Sequence, residues 1–213
     1  SGGILFFFPF LIIFFEIGLI FIFFASLFLL LGLLSDTNNL NKPKLRLFFQ
    51  FTILTFFVLS QKIEVLPTRI EFIDNNFQNT YLSYFFSVFC LLILINGSNF
   101  IDGLNGLLLG YVILIFLFLT KLELIGLVGI NTDYINQFIF ILVFILLLNY
   151  FNLLFLGDNG SYLLSFIIGS ILIILYNNTT YVSPYFIILL LWYPCFENLF
   201  SIIRKNISKS DPL

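Results

Sequence analysis

Long, continuous apolar runs separated by short polar stretches make up most of this chain. Ile4–Leu34 is about 31 residues long and is interrupted by Glu16, Gly18 and Gly32. A single helix of that length would reach roughly 46 Å, against a hydrocarbon core of about 30 Å. The run is therefore expected to be a hairpin of two short spans turning near Glu16–Gly18, with one long tilted helix as the alternative. Leu47–Ser60, Tyr81–Ile95, Leu107–Leu119, Ile135–Asn149, Tyr162–Leu175 and Pro184–Ile203 supply six more spans. Strands of a membrane barrel would alternate apolar and polar positions, whereas these runs do not. The expected fold is an all-α, polytopic membrane helical bundle with about eight transmembrane helices. Between spans, Ile63–Pro67 followed by Arg69–Ile73 suggests a small β-hairpin on the far side.

Composition supports the same class. Hydrophobic residues make up 61% and charged residues 9%, where a soluble domain carries about a quarter charged; mean hydropathy is +1.12. The formal charge of −2 comes with no basic stripe, which argues against a nucleic-acid partner. The lipid bilayer is the first expected partner. Cys90 and Cys195 lie in apolar runs and read as small buried hydrophobes rather than a disulfide. The chain has no Met and starts at Ser1. It is expected to be a fragment at both ends, with residues 1–213 forming a single integral-membrane domain.

Tracing the crossings puts Ser35–Arg46, Asn96–Gly106, Leu156–Ser161 and Arg204–Asp211 on one face. Lys42, Lys44, Arg46, Arg204, Lys205 and Lys209 fall there, while Lys62, Arg69 and Lys121 fall opposite. By the positive-inside rule the first face is cytoplasmic. Asp36, Asp102 and Asp158 land on it together, a plausible setting for a divalent cation or for phosphate chemistry.

The most polar of these stretches is Asn96-Gly-Ser-Asn99-Phe-Ile-Asp102-Gly-Leu-Asn105-Gly-Leu107. In a helix, Asn96, Asn99 and Asp102 lie near one another. Gly103 and Gly106 then allow a turn where backbone can approach a ligand. Such a cluster between two spans is costly, and is expected to line a water-filled site.

Four blocks resemble glycosyl transferase family 4, the polyprenyl-phosphate N-acetylhexosamine-1-phosphate transferases of bacteria. Leu31–Asp36 with Lys42–Arg46 is similar to the family's Gly-x-x-Asp-Asp and Lys-x-Arg block. Asn96–Leu107 resembles its Asn-x-x-Asn-x-x-Asp-Gly-x-Asp-Gly-Leu motif, and Phe155–Ser161 its Phe-Met-Gly-Asp-x-Gly-Ser motif. Pro194–Lys205 resembles a later span, and Ser1-Gly2-Gly3 the end of the first cytoplasmic loop. The order, spacing and common face of the blocks cover nearly the whole chain; Gly-Asp-x-Gly-Ser alone would mean little.

The resemblance implies that a polyprenyl phosphate attacks the β-phosphorus of a UDP-N-acetylhexosamine and that UMP leaves, with Mg²⁺ or Mn²⁺ as cofactor. It implies a bacterial inner-membrane protein with its site on the cytoplasmic face, and a homodimer as a further partner, since dimers occur among relatives. Carried over by motif position, Asp36, Asp102 and Asp158 are the catalytic residues. Asp158, Asn99 and Asp36 form the metal set, with Asp158 the firmest ligand. Asp102 would contact the nucleotide side of the donor. Asn96, Asn99, Asn105, Phe155, Gly157, Lys44 and Arg46 complete the substrate-binding set, Phe155 at the position where the family stacks uracil.

Two departures stand out. Ser35-Asp36 replaces the family's Asp-Asp, and Asn105 stands where the family usually has Asp. The second pKa of a phosphate monoester is about 6, so the acceptor is mostly ionised at pH 7 without a base; activity is expected to survive the Ser35 change. The family's His-x-His element has no counterpart, and the first span and last spans are expected to be missing. Other readings stay open. Asp36 also reads as a helix cap, Gly157–Gly160 as a tight turn, and Glu197 as a partner for a cation or backbone. A transferase making the phospho-MurNAc-pentapeptide lipid is the nearest alternative. A non-catalytic scaffold is another, and so is a transporter, although no internal repeat supports the last.

Overall fold

The computed structural model describes residues 2–64, 67–179 and 182–208, and every regular element among them is helical. Helix α1 (Gly2–Ile13) passes through a 3₁₀ turn at Phe14–Ile17, and α2 (Leu19–Asp36) runs back. The reversal is at Gly18, whose φ of +126° suits glycine. Both ends of this hairpin reach the same place. The Gly2 N–H donates to the Phe155 carbonyl at 2.8 Å, and Gly32 lies against the Asn159 backbone.

The chain continues through α3 (Pro43–Gln61), α4 (Glu71–Asn76), α5 (Thr80–Ile101) and α6 (Leu107–Lys121). A second 3₁₀ turn, Ile125–Val128, precedes α7 (Thr132–Tyr150), α8 (Gly157–Asn178) and α9 (Pro184–Ser208). Pro43 opens α3 where its missing N–H leaves no bond unmade. Asn79 and Asn131 cap α5 and α7, accepting from Tyr81 N–H at 3.0 Å and Asp133 N–H at 2.9 Å. Among the described residues six helices, namely α2, α3, α5, α7, α8 and α9, are long and apolar enough to cross a membrane. The shorter α1 and α6 are also apolar.

The expected hairpin over Ile63–Ile73 does not form as such. Val65 and Leu66 lie outside the described residues, and the second half is helical from Glu71. Asp74 explains this. Its carboxylate accepts from Thr68 N–H and Thr68 Oγ1, both at 2.7 Å, and from Arg69 N–H at 3.0 Å. These local bonds occupy the donors that a strand pair would have used.

Helix α8 is the axis of the bundle. Asn159 through Ile173 are all buried, with α1, α2 and α5 packed around them. Small residues make that crowding possible, because lipid tails are as apolar as leucine and association depends on close contact. Gly32 sits on the backbone of Asn159, and Gly169 on Leu91 and Leu94. Between these contacts along α8, the Phe166 ring stacks on Phe28 at 4.8 Å and meets Phe57 edge-on at 4.9 Å. Other phenylalanines, such as Phe8, Phe56 and Phe140, face outward, where lipid would lie.

Helix α9 carries Pro194, which lacks the N–H that would bond the Leu190 carbonyl. The Tyr111 hydroxyl donates to that carbonyl instead. Gly97 of α5 fits against Pro194; a Cβ there would lie 2.0 Å from the Pro194 oxygen. Cys90 and Cys195 are free and half-buried.

Candidate active site

The α2 C-terminus, the start of α3, the end of α5 and the N-terminus of α8 converge on one face. The centre of this convergence is Asp158, at the second position of α8. Its Oδ2 accepts from Ser35 Oγ at 2.5 Å and from Arg46 Nη1 at 2.8 Å. Arg46 Nη1 also donates to Ser35 Oγ at 2.7 Å, closing a triangle drawn from three helices. Both charged side chains are about three-quarters buried, with 26% of Arg46 and 24% of Asp158 exposed. The pair is thus less screened than a surface ion pair. Tyr162 is buried one turn further along α8, with its phenol beside Ser35 and Arg46.

Asp36 is turned onto the end of α8. It accepts from Asp158 N–H at 2.8 Å and from Asn159 N–H at 3.4 Å. These are two of the four amides a helix leaves open at its N-terminus, where a negative charge is favoured. Gly157 makes this approach possible, with φ at +75° and an imagined Cβ only 2.7 Å from Asp36 Oδ2. The helix-cap reading of Asp36 and its place in the site are therefore the same geometry.

Asn99 Oδ1 accepts from Ser161 Oγ at 2.6 Å, tying α5 to α8. Asn96, one turn deeper, donates to Gln50 Oε1 at 2.9 Å and to the Leu92 carbonyl at 2.8 Å. Asn105 lies apart from this cluster and bonds Asn152 at 2.5 Å on the exposed surface. Lys44 is exposed at the start of α3, and the Phe155 ring is 63% exposed just before α8.

Asp102 follows the last turn of α5, and its carboxyl is pushed up to about 7. Burial is the first cause, followed by the charges of Asp158 and Asp36. The three aspartates therefore share one electrostatic environment. Among the described residues, however, no three of His, Cys, Asp or Glu converge closely enough to enclose a metal ion. The hard oxygen donors instead suit Mg²⁺, which keeps several waters and is bound through one or two carboxylates plus substrate phosphates.

Two consequences are measurable. The folded-state pKa of Asp102 lies above its unfolded value, so its protonated form stabilises the fold. That stabilisation is complete below about pH 4 and is lost as pH rises to about 7. Asp102→Asn should remove this slope, so that in metal-free detergent its thermal midpoint falls less than the wild type's between pH 5 and 7. Arg46→Ala leaves the acidic cluster without its cation. A loss of about 2 kcal/mol of stability is expected, read as a lower thermal midpoint in detergent, with only partial recovery in Arg46→Lys, a point charge on a flexible stem.

Sequence reading singled out Asp36, Arg46, Asn99 and Asp158 but missed Ser35 as a partner and did not single out Ser161, Tyr162 or Gln50. Ser161 belonged to a recognised motif. Tyr162 and Gln50 carried no signal beyond being polar groups in apolar runs.

A model of the family described as glycosyl transferase family 4 matches residues 18–176. A probable undecaprenyl-phosphate N-acetylglucosaminyl 1-phosphate transferase of Bacillus subtilis (strain 168) is 25% identical over 190 residues. That alignment covers 87% of this chain and 52% of the relative, so the chain spans about half the length of the curated relative it matches. No solved structure matches it.

Proposed function

The chain belongs to glycosyl transferase family 4, and from that premise we propose that it transfers N-acetylhexosamine 1-phosphate from a UDP-sugar to undecaprenyl phosphate, releasing UMP. The observation that carries the reading is the Ser35–Arg46–Asp158 triangle at the membrane face, with Asp36, Asn99 and Asp102 around it. A lipid phosphate anchored in the bilayer and a soluble nucleotide sugar can meet only at such a face. By its basic residues we propose that this face is cytoplasmic, in a bacterial inner membrane.

The charge balance supports a divalent cation. Asp36, Asp158 and a partly protonated Asp102 against one arginine would repel a diphosphate and a phosphate monoester unless another positive charge joined them. Mg²⁺ (or Mn²⁺) would be held by Asp158 with Asn99, beside Asp36. When bound it supplies charge neutralisation for the transferring phosphoryl group. The residues themselves do the positioning. Arg46 and Ser35 fix one oxygen of Asp158, and Asp36 holds the α8 N-terminus in place. Ser161 orients the Asn99 amide. Phe155 offers an open ring face for a nucleobase, and Lys44 gathers anions at the surface. The acceptor phosphate arrives largely ionised at neutral pH, so no carboxylate is needed at Ser35 to deprotonate it.

We propose GlcNAc as the sugar, on the strength of the relative's activity and the Asn96–Leu107 wording. The phospho-MurNAc-pentapeptide reaction is the second reading. Full-length protein in detergent, given undecaprenyl phosphate and one UDP-sugar at a time, decides between them. Lipid-linked product from UDP-GlcNAc is expected. Product from UDP-MurNAc-pentapeptide alone would favour the second reading, and none from any donor would return the scaffold reading.

A further inference from the structure

Four residues of α3 are buried, and three of them (Leu54, Phe57 and Val58) are hydrocarbon. The fourth is Gln50, which is 0% exposed. Its Oε1 accepts from Asn96 of α5, while its Nε2 is sealed from solvent with no hydrogen-bond partner among the described residues. An unpaired amide donor in a membrane interior is destabilising, and a leucine would fill the same space without that cost. The amide must therefore specify something that hydrocarbon cannot.

Its place in the helix shows what. Gln50 is one turn after Arg46 on the same face of α3, and Asn96 is one turn before Asn99 on the same face of α5. Above this pair stand two bonds to α8, Arg46 to Asp158 and Asn99 to Ser161. The pair is thus the lower rung of a polar ladder whose upper rungs are the site. Helix α3 packs chiefly on α5 and α2, and much of its surface faces outward. Apolar contacts alone resist its rotation or sliding poorly, because lipid is as apolar as its neighbours. A shift of one residue would move Arg46 by about 1.5 Å along the axis and turn it by about 100°, away from Asp158.

We infer that Gln50 and Asn96 are positioning residues that lock the register of α3 against α5, and so aim Arg46 and Asn99 at α8. Asn96 then acts through Gln50 and not by touching substrate. Its two amide hydrogens are already spent on Gln50 and Leu92.

The inference rests on the proposed transferase reading, so its test pairs kinetics with unfolding. Gln50→Leu, Asn96→Leu, the double variant and the reciprocal exchange Gln50→Asn/Asn96→Gln are made in the full-length protein. Each is followed by UMP release and by thermal unfolding in detergent. Each single change should lower kcat about tenfold, with the double no worse than the worse single. Donor KM and the Gln50→Leu thermal midpoint should hold, and the exchange should recover most of the rate. A raised donor KM in Asn96→Leu beside a silent Gln50→Leu would make Asn96 a ligand contact and overturn the inference. A thermal midpoint falling in step with kcat, or an exchange that recovers nothing, would overturn it too. If the wild type released no UMP, the transferase reading would fail by itself. The register lock would then be read from unfolding alone: Gln50→Leu and Arg46→Ala should be non-additive, and additivity would reject it.

Discussion

Asp158→Asn is expected to reduce UMP release by about a thousandfold while leaving the protein folded. The size follows from the role we propose for the carboxylate: a metal neutralising transition-state charge would be worth several kcal/mol, at about 1.4 kcal/mol per decade of rate. The survival of the fold follows from opposing small effects. The amide oxygen can still accept from Ser35 and Arg46, and repulsion of Asp102 and Asp36 is relieved. Against this, α8 loses a negative charge near its N-terminus, worth about 0.3–1 kcal/mol. Thermal unfolding run beside the rate assay separates the two effects. A midpoint far below wild type would mean that Asp158 is chiefly a structural residue.

Gly32→Ala is expected to be one of the two most damaging single methyls in the described bundle, the other being Gly97→Ala against the Pro194 backbone. The Cβ added at Gly32 would lie 2.2 Å from Asn159 Cα, 2.4 Å from Asn159 N and 2.7 Å from Asp158 C. All three are backbone atoms, so no side chain can swing aside and α2 must move off α8. Overpacking of this kind costs about 1–3 kcal/mol, and the upper end applies where neither wall yields. The same movement draws Ser35 and Asp36 away from Asp158, so activity should fall even in the protein that still folds. Gly110 of α6 is the control. Nothing lies within 4 Å of its Cβ position, and Gly110→Ala should be neutral or stabilising by about 0.5–1 kcal/mol. Equal thermal midpoints for Gly32→Ala and Gly110→Ala would show that the α2–α8 contact is looser than described.

Much of the architecture is legible in the hydropathy pattern because the membrane permits so few alternatives. A continuous apolar run must be helical, and its length fixes how often it can cross. The reversal at Gly18 was visible as two small breaks in a run too long for one span. The same rule placed Asp36, Asp102 and Asp158 on one face, which the helix directions reproduce. Arg69–Ile73 misled for the opposite reason. It lies outside the spans, where a single carboxylate such as Asp74 decides the backbone and β-propensity does not.

The candidate site was legible as residues that fall on one face but not as a set of bonds. Asp36, Arg46 and Asp158 are separated by ten to more than a hundred positions, and no local pattern states that Arg46 and Ser35 share Asp158 Oδ2. Ser35 looked like a loss because a carboxylate was expected; in three dimensions its hydroxyl donates to Asp158 where a second carboxylate would repel it. Asn96 and Asn105 share a motif with Asn99 yet part from it. One goes inward to Gln50 and the other outward to Asn152, because the helix ends at Ile101 and the turn at Gly106 redirects the chain.

We propose that this face transfers a sugar phosphate to a membrane phosphate with the help of a divalent cation. The most direct test follows UMP and lipid-linked sugar together in the full-length wild-type protein, given undecaprenyl phosphate and UDP-GlcNAc, with Mg²⁺ and after chelation. The two products should appear in equal amounts with Mg²⁺, and both should vanish on chelation. UMP formed without lipid-linked sugar, or equal turnover in the chelated protein, would contradict the proposal.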